Sequence, residues 1–156
     1  MLAGYPIGLL LIAMPLLDVL PKINPANFGS ADWRYGAVGL LVGSVVTPII
    51  GLTFAGCSAL IARHRGVLLT VSVVSLVLGL LLIIGGVTFL SDFGAFAPDL
   101  SERVAPAFRA ATTKTVVVAL LAAGAAVWLG LGGLQALRAG RSSGPEDRSR
   151  GLVVGH

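Results

Sequence analysis

Few residues in this chain could do chemistry. Thr53, Cys57 and Ser58 lie within five positions on one apolar stretch and offer two hydroxyls and a thiol. A nucleophile of this kind needs a histidine or carboxylate to take its proton. None stands near the three in sequence. Hydroxyls in an apolar helix instead bond back to carbonyls one turn earlier, and that is the reading for Thr53 and Ser58. Cys57 is the sole cysteine, which excludes an internal disulfide and a CxxC redox pair. It reads as a small packing residue.

Histidine occurs only at positions 64 and 156. A bis-histidine haem needs two on facing helices, and a zinc site needs several ligands together. Neither pattern is present, so neither cofactor nor metal is expected. Asp18 and Lys22 stand four apart and read as an ion pair on one helical face. No charged residue falls in the middle of a long apolar segment. A proton-coupled antiporter or a voltage sensor needs one there, so both classes are excluded. Arg109, Thr112, Thr113 and Lys114 form a basic cluster with Glu102 nearby, suited to a lipid phosphate. Ordinary snorkelling at an interface is the simpler reading.

The smallest side chains set a further pattern. Ser72, Gly79 and Gly86 recur every seven residues, with Ser75 between them. Ala122, Ala126 and Gly130 recur every four, Ala119 and Ala123 make a parallel row, and Gly39 with Gly43 forms a GxxxG. Lipid gives no hydrophobic drive for helix association, so close backbone approach through small residues must supply it. These rows read first as packing within one bundle, and second as a face for another copy or another subunit.

The elements that carry these residues follow from composition. Of 156 residues, 56% are hydrophobic and 12% charged, whereas a soluble domain is about 25% charged. The mean hydropathy is +0.94. Charge this sparse cannot cover a water-soluble fold. Four apolar segments, residues 2–20, 36–62, 67–90 and 115–137, are read as spans, against the roughly 20 residues a bilayer core requires. The first is short and holds Pro6 and Pro15. It lacks a basic n-region and a small-x-small cleavage site, so it reads as retained. The second is longer than needed, and Pro48 after Thr47 marks its kink. The expected fold is all-α: an integral membrane four-helix transmembrane bundle with short loops, over residues 1–139.

Arg63-His64-Arg65-Gly66 joins the second and third spans as a tight hairpin. Two arginines there, with Arg138, Arg141, Arg148 and Arg150 beyond the last span, place the hairpin and both termini in the cytoplasm. The net charge of +4 is thus a matter of orientation, and no nucleic acid is expected as partner. On the other side Ser30 is placed to cap the second span, with Asp32 in its first turn. Trp33 and Tyr35 read as interface anchors. Asp99-Leu100-Ser101-Glu102 has a capping-box pattern ahead of a short helix, which Pro106 would break or restart into the last span. Residues 140–156, rich in Gly, Ser and charge, read as a disordered cytoplasmic tail. Abundant Ala, Gly and Val with Arg favoured over Lys suggests a bacterial inner membrane. The expected function is a non-catalytic accessory or structural subunit of a larger membrane assembly, with lipid and other subunits or itself as partners. A small oligomeric channel or transporter is the alternative, and a lipid-acting membrane enzyme the second.

Overall fold

The computed structural model describes residues 4–96 and 101–142, and every element among them is helical. In chain order these are α1 (Gly4–Val19), a 3-10 turn (Leu20–Ile23), α2 (Ala31–Ser44), α3 (Val46–Ile61), α4 (Arg65–Phe96) and α5 (Ala105–Ser142). Three stretches, Gly4–Ile23, Arg65–Ala95 and Ala105–Gly140, are long and apolar enough to cross a membrane. The pair α2 and α3, bent by 44°, makes a fourth if it is one span.

The bend has a local cause. Pro48 has no N–H to give the Ser44 carbonyl, and its ring crowds the preceding turn. The ladder accordingly slips at Val45, whose N–H reaches the Val42 carbonyl at 3.3 Å, and recovers with Ile49 donating to Val45 at 3.2 Å. The kink therefore lies three residues before the proline. Together α2 and α3 run the length of α4. Arg34 near the start of α2 meets Asp92 near the end of α4, while a tight turn joins Ile61 to Arg65 at the other end.

Packing is organised as two close antiparallel pairs. Between α4 and α5, a methyl added to Gly130 would lie 2.6 Å from Leu76 and 2.9 Å from the Ser72 carbonyl. One on Gly79 would lie 2.8 Å from Val127. Ser72, Ser75, Ala119, Ala122, Ala123 and Ala126 are buried in the same region. Between α1 and α3, Gly8 and Gly51 bring backbones together: a methyl on Gly51 would stand 2.6 Å from the Gly8 carbonyl. The α4–α5 pair meets α2 and the start of α3 around Val42, Val45 and Leu82, beside Ala119 and Ala122.

The small-residue rows are thus divided. Ser72, Gly79, Ala122, Ala126 and Gly130 belong to the α4–α5 seam. Gly43 and Gly86 have open space, and Gly39 meets only the Phe89 ring at 3.9 Å. The large apolar side chains point the other way. Leu9, Leu17, Leu80, Leu120, Leu121 and Trp128 are all exposed. A soluble fold buries such residues and exposes charge; this bundle buries small residues with a minority of larger ones and turns most of its large apolar side chains outward.

Two boundaries differ from the sequence reading. Helix α4 continues past residue 90 to Phe96, and α5 begins at Ala105 and runs unbroken to Ser142. Pro106 stands in the first turn of α5, where no N–H is needed, so of its two expected roles it takes that of starting the last helix. The separate short helix is absorbed into α5, with Ser101 at a bend-free position before the turn that leads into it and Asp99 and Leu100 outside the described residues. Gly140–Ser142, assigned to the tail, are helical. The rest of the tail lies outside the described residues.

Gly130→Ala is expected to lower stability by about 1–3 kcal/mol, as overpacking does. Gly51→Ala should cost at least as much, because the obstructing atom is backbone. Gly86→Ala has room and should be neutral or stabilising by up to about 1 kcal/mol. Thermal unfolding of the three variants in detergent, followed by circular dichroism, checks the ranking.

Candidate functional site

Polar side chains gather at the two ends of the bundle. At the first end α4, extended by its last turns, carries Phe89, Asp92 and Phe93 on adjoining positions of one side. Helix α5 presents Phe108 and Thr112 four residues apart, and α2 contributes Arg34 and Tyr35. Arg34 grips Asp92 with two parallel bonds: Nε to Oδ2 at 3.1 Å and Nη2 to Oδ1 at 2.6 Å. Its third nitrogen, Nη1, donates to the Phe28 carbonyl at 2.9 Å and ties down the loop before α2. Asp92 is only 5% exposed. A guanidinium fork is the geometry best matched to a buried carboxylate. With both oxygens engaged, Asp92 is a clasp rather than a base.

Beside the clasp, the Tyr35 ring stacks on Phe89 at 4.2 Å and on Phe108 at 4.9 Å, and Phe93 stacks on Phe108 at 5.9 Å. Thr112 gives its proton to the Phe108 carbonyl at 2.9 Å, so Tyr35 is the donor in its 2.7 Å contact with Thr112. Tyr35 thus lies within the aromatic stack. Trp33 is half-buried as well: its indole N–H donates to the Ile23 carbonyl at 3.0 Å and its ring meets Phe28 edge-on. Ser30 caps α2 by accepting from the Trp33 N–H at 3.3 Å. Asp18 and Lys22 pair at 2.8 Å in solvent. The basic cluster of α5 is dispersed. Thr112 is buried, whereas Arg109 and Lys114 are exposed and, five residues apart, stand about 140° around the helix from each other.

The second end is built around the α3–α4 turn. The Arg63 N–H bonds to the Leu60 carbonyl at 3.2 Å and the His64 N–H to the Ala59 carbonyl at 2.9 Å. This is a Schellman closure, and Arg63 occupies its left-handed position with φ 55°. Tyr5 of α1 hydrogen-bonds His64 Nδ1 at 2.9 Å. Arg65 Nη2 donates to the Gly140 carbonyl of α5. These contacts hold the start of α1, the turn and the far end of α5 together.

Between the ends a cleft runs along the flank where α3 and α5 diverge. A volume of 460 Å³ is lined by Thr53, Cys57, Ser72, Trp128 and Gly133, among others. Among the described residues no ionisable side chain except the thiol lines it. Thr53 donates to the Ile49 carbonyl at 2.8 Å and Ser72 to Leu68 at 2.7 Å, so neither hydroxyl proton is offered to the cleft. A second groove of 350 Å³, at the α2–α3 bend, is apolar apart from Ser44, which bonds back to its own helix. Among the described residues no group of three His, Cys, Asp or Glu could hold a metal ion.

No known protein family, curated protein or solved structure matches this chain.

The Arg34–Asp92 clasp was not legible in sequence, where the two residues stand 58 positions apart. A signal existed: Asp92 is followed by Phe93, Ala95 and Phe96, an apolar run that lets the helix continue past the charge.

Removing either member of the clasp leaves its partner uncompensated. Arg34→Gln and Asp92→Asn are each expected to lower the unfolding temperature in detergent by several degrees. The double variant Arg34→Leu/Asp92→Leu should recover most of the loss. Tyr35→Phe keeps the stacked ring and removes one hydrogen bond, at a cost of about 1 kcal/mol.

Proposed function

We propose that this protein is a four-span integral membrane protein that serves as a non-catalytic accessory subunit of a larger membrane assembly. The observation that carries the membrane reading is where the large apolar side chains stand: a few, such as Val42, Leu82 and Phe89, are buried among Ala and Ser, while most, including Leu80, Leu120, Leu121 and Trp128, are exposed. Lipid solvates such a surface, and small residues allow the close helix contacts that lipid does not drive. The bent pair α2 and α3 counts as one span, because it runs from the Arg34–Asp92 level to the turn at Arg63.

The accessory role is supported by where the chemistry stops. The clasp, the aromatic stack and the Tyr5–His64 contact all join helices of this chain. Meanwhile Gly36 and Gly43, seven residues apart on one face of α2, have open space above them. That face admits close approach by a helix of another subunit.

The arginine distribution orients the bundle with the α3–α4 turn and both termini in the cytoplasm of a bacterial cell. Reporter fusions after His156 and within the turn are each expected to give a cytoplasmic signal. A periplasmic signal from the turn would reverse the topology.

Purification from the native host in gentle detergent, sized on a native gel, tests the role itself. Other chains co-purifying in fixed ratio are the expected result. A protein that runs alone as a defined oligomer would favour a small channel or transporter, and a stable monomer would end the subunit reading.

A further inference from the structure

The α3–α5 cleft does not end where its apolar lining ends. Toward mid-bundle it continues, through the shared residue Ala125, into a 260 Å³ space between Ile50 and Leu121. Toward the turn it continues, through Leu60 and Leu68, into a 330 Å³ space bounded by Arg63, Arg65 and Gly140. The three spaces follow one another along one flank of the bundle, apolar in the middle and bounded at one end by Arg63 and Arg65. Among the described residues no carboxylate lines that end.

The Arg65 side chain and the Arg63 backbone are held in place. Arg65 is fixed by the Gly140 carbonyl, which uses only part of its five-donor fork. Arg63 stands at the left-handed position of the Schellman closure, where glycine is the favoured residue. A side chain kept at a strained backbone position points to a use for that side chain. Guanidinium groups recognise phosphate oxygens through paired N–H donors.

We propose that this cleft is a binding site for one anionic phospholipid, with the phosphate at Arg63 and Arg65 and an acyl chain along the groove past Cys57 and Trp128. A zwitterionic lipid brings a cation of its own to the same place and leaves the two arginines without a net counter-charge. The inference rests on the membrane reading above, but not on the accessory role.

Trp128, 80% exposed at the cleft wall, is a built-in probe. With Trp33→Phe it becomes the sole tryptophan, and bromine on a lipid chain quenches indole fluorescence on contact. The full chain is reconstituted in phosphatidylcholine vesicles containing a small fraction of either brominated phosphatidylglycerol or brominated phosphatidylcholine. Brominated phosphatidylglycerol is expected to quench Trp128 with a preference of roughly tenfold, from two cationic side chains near the surface. Arg63→Gly and Arg65→Gln should each reduce the preference several-fold. Arg63→Gly relieves the left-handed strain and should unfold at a higher temperature, so its loss of preference cannot be ascribed to misfolding.

Equal quenching by the two lipids would overturn the proposal, as would a preference that survives both substitutions. A preference of the same size at Trp33, in a Trp128→Phe chain, would mean general attraction to a cationic protein and overturn it too. Quenching by neither lipid in a chain that resists alkaline extraction would place a protein segment in the cleft instead. Quenching by neither in an extractable chain would end the membrane reading and the proposal with it.

Discussion

The structure depends on helices meeting at backbone distance. Where α4 crosses α5, the Gly130 position has no room for a methyl group, and where α1 crosses α3 the Gly8 and Gly51 backbones face each other. Contacts this close do not need large side chains to fill the space between helices. That frees most of the leucines, isoleucines and valines to point outward, where they make much of the bundle's surface apolar. In water such a surface would drive aggregation; in lipid it is the solvated face. The same constraint explains the treatment of hydroxyls. Thr53, Thr70, Ser72, Thr88 and Ser91 each return a proton to a carbonyl of their own helix, which satisfies the group without a partner on a neighbour. Ser75, in the tightest part of the seam, has no hydrogen-bond partner among the described residues.

Small-residue packing fixes distance but discriminates little between registers, since one row of alanines resembles the next. Register is held at the ends. At one, Arg34, Asp92, Tyr35 and Thr112 connect α2 to α4 and α5 through directional bonds inside an aromatic stack. At the other, Tyr5 meets His64 and Arg65 meets Gly140, so that α1 and α5 are both tied to the α3–α4 turn. The middle of the bundle is left apolar, and the spread of α3 from α5 opens the cleft there. That cleft is a consequence of the two-pair architecture: α3 is drawn toward α1 at Gly51, while α5 is drawn toward α4 at Gly130.

The sequence by itself determined the helical class and the apolar stretches, because hydropathy and length are local properties and a bilayer-length apolar run has few other uses. It also marked the proline that bends the second stretch and the serine that caps α2, since both effects act within one turn of chain. It could not decide which small residues serve as contacts. Gly79 and Gly86 have the same spacing from their neighbours, yet one is enclosed by Val127 and the other faces open space. That difference comes from where α5 crosses α4, which no single helix encodes. Nor could it show that Arg34 and Asp92, 58 residues apart, form one bidentate pair, or that Arg63 and Arg65 close the end of a cleft made by three helices. Side-chain chemistry and helix length are written residue by residue; the partner of a charge and the depth of a groove exist only once the helices have been brought side by side.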